Sequence, residues 1–327
     1  MKTALLAMAT AFVVGVIIGP LLIKALRYLK FGQTIREDGP KRHLQKQGTP
    51  TMGGLIFLLA FIVSSVIWAN GTTAVVLMIV TTLMFGLIGL VDDGIIIMMH
   101  RSLGLTAKQK LVLQFLFAFL FIYFSCHTLG RGTDLIIPFS GYSWDIGIFY
   151  YIIMTVFMVY MVNAVNLTDG LDGLAGGITF IVGLGFMIIC LLAVDNPPVQ
   201  GVDYEGLATA DAALIGGILA FLVFNKYPAK VFMGDTGSLA LGGAVMALAI
   251  LTKTEIVFIL MGLVYLIEAL SVVIQVTSFK LTGKRVFKMS PIHHHFEMCG
   301  WSEIKIVTVF WTATLICVIL SLLITTL

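Results

Sequence analysis

Four polar clusters interrupt an otherwise apolar chain: Asp92-Asp93, Asn163 to Asp172, Asn225 to Asp235, and His293-His294-His295. Each lies at the end of a long apolar run. Adjacent carboxylates repel, so Asp92 and Asp93 stay ionised together only beside solvent, a cation or a divalent metal. Paired oxygen ligands suit a hard cation such as Mg²⁺ and hence phosphate chemistry; a solvated helix end is the plainer alternative. Asn166, Asp169 and Asp172 recur at intervals of three, so a helical turn would bring them close to one face, where they could bond the edge of a base or hold a cation. A Gly-rich inter-helix turn is the alternative there. Asp235 sits between Gly234 and Gly237 as a candidate metal ligand or a helix N-cap, with Asn225 upstream and Phe232 able to stack on a planar base.

Three consecutive histidines cannot all face one metal from a helix. His293, His294 and His295 instead fit donation to phosphate or nucleotide oxygens, given Lys280, Lys284, Arg285 and Lys288 nearby. Binding of anionic lipid headgroups is the alternative for that basic segment. Lys46, in a basic first loop, is a candidate phosphate contact. Glu268 reads as the one acid well inside a span, a position that is functional by default; Gln275, nearly two turns on, is placed to share its cavity.

The elements that position these groups must be membrane helices. Of 327 residues, 59% are hydrophobic and 11% charged, against roughly 25% charged in soluble domains. Such a chain cannot hide its apolar surface in water and reads as an all-α integral membrane protein. Ten spans are predicted, at 3–29, 51–69, 73–97, 106–128, 146–164, 174–194, 207–224, 238–252, 255–279 and 304–326. The eighth is short for a membrane of about 30 Å, and its Gly-rich start is the segment that would extend it. The loops on the polar side fall near 30–50, 98–106, 165–174, 225–237 and 280–303, within a single polytopic domain. Seventeen of the 20 Lys and Arg residues flank those loops; only Lys2, Arg131 and Lys253 fall on the other side. By the positive-inside rule the polar side is cytoplasmic and both termini are extracytoplasmic. The charges at Lys24, Arg27 and Lys30 make the first run a retained helix rather than a cleaved signal. Cys126, Cys190, Cys299 and Cys317 lack metal or disulfide spacing.

Together these strings resemble the phospho-N-acetylmuramoyl-pentapeptide transferase family, within the polyprenyl-phosphate N-acetylhexosamine-1-phosphate transferases. The strings are GTPTMGG at 48–54, VDD at 91–93, LGLTAKQK at 103–110, NAVNLTDGLDGLAGG at 163–177, FNKYPAKVFMGDTGSLALGG at 224–243 and PIHHHFE at 291–297. The first and last favour the muramoyl branch over the one that uses UDP-N-acetylglucosamine. The resemblance implies ten transmembrane helices, periplasmic termini and a cytoplasmic site in the bacterial inner membrane. It implies Mg²⁺-dependent transfer of phospho-MurNAc-pentapeptide from its UDP form to undecaprenyl phosphate, giving lipid I and UMP for peptidoglycan synthesis. Membrane lipid is a partner, a homodimer is left open, and no nucleic acid is expected.

By the same resemblance, Asp92 and Asp93 are the paired catalytic acids and Asp235 the magnesium ligand. Asn166, Asp169, Asp172, Phe232 and Gln275 form the nucleoside side, and Asn225, Lys46, Lys110 and the three histidines line the cleft. One departure stands out: the family pattern D-D-x-x-K reads Asp92-Asp93-Gly94-Ile95-Ile96, so Ile96 stands where the resemblance implies a lysine, and either Lys46, Lys108 or Lys110 supplies the cation or activity is low. A phosphate monoester with a second pKa of about 6 is mostly a dianion at neutral pH. Direct attack by the lipid phosphate is therefore expected, with Asp92 placing or deprotonating it; a phospho-aspartate is the competing route. A nucleotide-sugar transporter is the non-enzyme reading, disfavoured because such sites lie near the bilayer midplane.

Overall fold

The computed structural model of the chain describes residues 1–29, 48–99, 104–140 and 142–326. Lys46 and most of the first loop lie outside them. The helices are α1 (Lys2–Tyr28), α2 (Gly54–Trp68), α3 (Thr73–Met98), α4 (Ala107–His127), α5 (Ile148–Thr168), α6 (Leu174–Leu192), α7 (Tyr204–Asn225), α8 (Gly234–Leu251), α9 (Glu255–Met261), α10 (Leu263–Thr282), α11 (Ile292–Met298) and α12 (Glu303–Thr326). Among the described residues nine helices are long and apolar enough to cross a membrane, and α2 is a shorter apolar helix of 15 residues. The chain is a multi-pass membrane protein. Leu5, Ile17, Val66, Phe119, Ile152 and Leu323 are among many large apolar side chains that face outward, as a lipid-facing surface requires.

The centre of the bundle is α8, buried from Thr236 to Leu251. Its small residues let neighbours come close: α3, α5 and α2 pack on it, while α7 packs on α1, α2 and α6. The Gly-rich stretch does extend this helix, which starts at Gly234 rather than at 238. The run expected as one span at 255–279 is interrupted at Gly262 into α9 and α10; glycine is the weakest ordinary helix former.

Two features were not foreseen. Residues 134–145 form an antiparallel hairpin, β1 (Asp134–Ile137) with β2 (Tyr142–Asp145), Leu135 facing Trp144. Strands of four residues are too short to show a period-2 pattern. The reading of Glu268 as the one acid inside a span is also incorrect. Asp211 lies in α7, wholly buried, and among the described residues neither carboxylate oxygen has a hydrogen-bond partner.

Candidate active site

Asp92 and Asp93 lie near the end of α3, which continues to Met98. Successive helical residues point about 100° apart, so the two acids meet different partners. Asp93 turns to α8. It accepts from the Asp235 N–H at 3.3 Å, the Thr236 N–H at 2.9 Å and the Thr236 hydroxyl at 2.7 Å. It thereby caps the N-terminus of α8 from outside that helix, where unpaired N–H groups and the helix dipole favour a carboxylate. Gly89, one turn earlier, makes this possible: a Cβ there would strike the backbone of Asp235.

Asp92 turns to α4. One oxygen accepts from the Leu105 N–H at 2.7 Å, and the other lies 2.9 Å from the Lys110 ammonium. Lys110 is placed by local sequence. Thr106-Ala-Lys-Gln109 is a capping box: the Gln109 N–H donates to the Thr106 hydroxyl, and the Thr106 N–H donates to the Gln109 side chain at 2.9 Å. That fixes the first turn of α4 and carries Lys110 between α3 and α8, where it also pairs closely with Asp235. Asn166, near the end of α5, donates to the other Asp235 oxygen at 2.9 Å and to the Ser238 hydroxyl at 2.7 Å. Asp92, Lys110, Asp235 and Asn166 thus form one connected cluster built by α3, α4, α8 and α5.

Helix α5 ends at Thr168, so Asn166, Asp169 and Asp172 do not continue on one helical face. Asp169 terminates the helix. Burial, followed by the charges of Asp235, Asp93 and Asp172, pushes its carboxyl up to about 8. An unfolded chain ionises this group near 3.8. The folded protein therefore holds a proton that the unfolded one lacks, and stability falls as pH rises between those values. Asp169→Asn is expected to flatten that slope between pH 6 and 8.5, roughly the upper half of the window, in thermal unfolding of metal-free enzyme; an unchanged slope would refute it.

Asp172 accepts from the Ala229 N–H at 2.9 Å, and its own N–H donates to Glu303 at 2.7 Å. Asn225 accepts from the Gly173 N–H and donates to the Val231 carbonyl, both at 2.9 Å. These two residues tie the 169–173 turn to the 226–233 loop. Phe232 is half-buried there, with its backbone paired to Pro50 and Gly53 at 2.8 Å each. The GTPTMGG string is thereby seated on the same loop.

The histidines separate. His293 is buried and its Nδ1 lies 3.0 Å from Glu268, which gives that acid its partner. Its ring packs on Gly170, where a Cβ would collide with Nε2. His294 meets Glu297 at 2.7 Å, and His295 Nδ1 accepts from the Lys288 N–H at 3.1 Å. The Gln275 amide bonds the backbone of Val286 and Phe287 and holds that loop. Thr236, Ser238 and Leu105 were not foreseen; the adjacency of Thr236 to Asp235 is the one signal that could have flagged a cap.

Among the described residues, no group of three or more His, Cys, Asp or Glu side chains converges to hold a metal. Asp92 and Asp235 nevertheless direct one oxygen each at a single cationic position, taken by the Lys110 ammonium. Two hard carboxylate oxygens are a donor set suited to Mg²⁺, which keeps several waters and uses few protein ligands.

The chain matches the model of glycosyl transferase family 4 over residues 75–253 and phospho-N-acetylmuramoyl-pentapeptide-transferase signature 1 over residues 46–58. It is 52% identical over 320 residues to the phospho-N-acetylmuramoyl-pentapeptide-transferase of Desulfitobacterium hafniense, covering 97% of this chain and 96% of that one. It is 48% identical over 325 residues to that of Halalkalibacterium halodurans (98% and 97% covered) and 47% over 315 residues to that of Bacillus subtilis (95% and 94%). The carboxylate cluster and the GTPTMGG segment fall within the matched regions, and the chain belongs to the phospho-N-acetylmuramoyl-pentapeptide-transferase family.

Proposed function

We propose that the protein transfers phospho-MurNAc-pentapeptide from UDP-MurNAc-pentapeptide to undecaprenyl phosphate, releasing UMP and forming lipid I. The reaction takes place on the cytoplasmic face of the bacterial inner membrane, with ten spans and both termini on the far side; the 17-to-3 distribution of Lys and Arg supports that orientation. The observation that carries the proposal is the Asp92–Lys110–Asp235 cluster at the ends of apolar helices, in a chain of this family. It offers charge neutralisation where a lipid phosphate dianion must approach a pyrophosphate.

An oxygen of the lipid phosphate bonds to the sugar-bearing phosphorus, and the bond from that phosphorus to the UMP oxygen breaks. Asp92 and Lys110 place the incoming phosphate. Asp235, with Asp92, would hold Mg²⁺, which supplies charge stabilisation for the departing UMP. Asp93 and Asn166 position Asp235. Asp169 and Phe232 face the nucleoside, while Asp172 and Asn225 hold the loops that carry them. Lys46, on the chain leading into the GTPTMGG segment, contacts phosphate. The histidine segment closes the rim, and Gln275 acts through its loop.

The test is UMP release in detergent with undecaprenyl phosphate and each UDP-sugar. Release with UDP-MurNAc-pentapeptide alone is expected. Release with UDP-N-acetylglucosamine instead would assign the sibling reaction, and none with either donor would favour transport or an inactive variant. A radiolabelled sugar-phosphate trapped on the enzyme without lipid acceptor would replace direct attack by a covalent route.

A further inference from the structure

At the bundle end opposite the carboxylate cluster, a cavity of about 530 Å³ opens under the β1–β2 hairpin. Its walls come from the hairpin, the end of α6, the α8–α9 corner and the end of α12; Ile137, Ile189, Leu192, Val257 and Ile324 make it mainly apolar. Its size falls in the range of sites that hold small organic ligands.

Two observations say what occupies it. First, the hairpin and the start of α5 expose Phe139, Tyr142, Trp144, Ile148 and Phe149. Tyr and Trp, here Tyr142 and Trp144, sit at the membrane–water interface, apolar body in the acyl region and polar tip in the headgroups. The hairpin therefore lies on the bilayer surface, and the cavity beneath it lies at the depth where acyl chains begin. Secondly, Lys253 lines the cavity and bonds both oxygens of Asp134, at 2.6 and 2.8 Å. An ammonium has three donors, which leaves one for a headgroup oxygen. An apolar pocket at the interface with a spare cationic donor matches one amphiphile class.

We propose that this cavity is a phospholipid site, with one acyl chain in the apolar pocket and a phosphate oxygen on Lys253. It is separate from the site of phosphoryl transfer, at the other end of the helices.

The experiment uses the full chain in nanodiscs containing a phosphatidylglycerol with a photoreactive diazirine on one acyl chain, followed by peptide mapping. Labelling of the 136–139, 189–192 and 257 peptides is expected to exceed that of the lipid-facing side of α4. In Val257→Trp, which fills the pocket, it should fall roughly tenfold, with UMP release unchanged, as expected when the protein's own side chain takes a ligand's volume. Ile324→Trp enters from another wall and serves if the first variant does not fold. Equal labelling of α4 and the cavity, or labelling that survives both variants, would overturn the proposal. Loss of labelling on omitting Lys253 alone, through Lys253→Met, would assign the headgroup contact; retention would remove it.

Discussion

Replacing Lys110 by methionine is expected to lower UMP release about 10²–10³-fold, the loss typical when one preorganised charge donor is taken from a reacting centre. Methionine keeps the apolar stem and the helix, so folding should persist. What disappears is the ammonium shared by Asp92 and Asp235. Ile96 occupies the position three residues after Asp93, and α3 carries no Lys or Arg, so that helix offers no substitute cation there. The two carboxylates would then face each other and the substrate phosphates with less compensation. A second readout separates this from simple damage. With the competing ammonium gone, Asp92 and Asp235 attract a divalent cation more strongly, so half-maximal activity should require less Mg²⁺. Lys110→Arg should recover only part of the rate, because a planar fork does not replace a point charge between two oxygens. More than about a tenth of wild-type activity in the methionine variant would be too small a loss for this role.

The sequence was most legible where charge and hydropathy act over many residues. Helix positions and the clustering of polar groups at one end of the bundle follow from the cost of leaving backbone or charge unpaired in lipid. Pairings across long separations were not legible. Glu268 was read without a partner because His293 reaches it from α11, 25 residues on. Asp93 looked equivalent to Asp92, yet helical rotation makes it a cap for α8, 142 residues on. Asp211 disappeared into a run of alanines and apolar neighbours, where one acid scarcely changes the local average. Lys110 was suggested by chemical need after Ile96 was noticed, and its exact bridge depended on a capping box one turn earlier.

The same argument about unpaired charge predicts a large effect far from the chemistry. Arg131 is about 1% exposed. Its guanidinium pairs with Glu255, donates to the carbonyls of Ile250 at 2.9 Å and Asp134 at 2.8 Å, and lies 4.5 Å from the centre of the Tyr150 ring. The Tyr150 hydroxyl donates to Glu255 at 2.6 Å. Beside it, partial burial of Asp134 opposes ionisation, but the Lys253 ammonium and Ser143 hydroxyl outweigh that and hold its carboxyl below the ordinary range. Arg131 thus joins the hairpin to the α8–α9 corner. Arg131→Met leaves Glu255 buried without its cation and should cost about 3–5 kcal/mol, as breaking a buried pair does. The double variant Arg131→Met with Glu255→Gln removes both charges and should recover most of that loss, to within about 1–2 kcal/mol of wild type. Denaturant unfolding in detergent measures both, and turnover per folded enzyme should stay near wild type in each. If the double variant were no more stable than the single one, the cost would lie in the lost carbonyl contacts of the guanidinium rather than in the stranded charge.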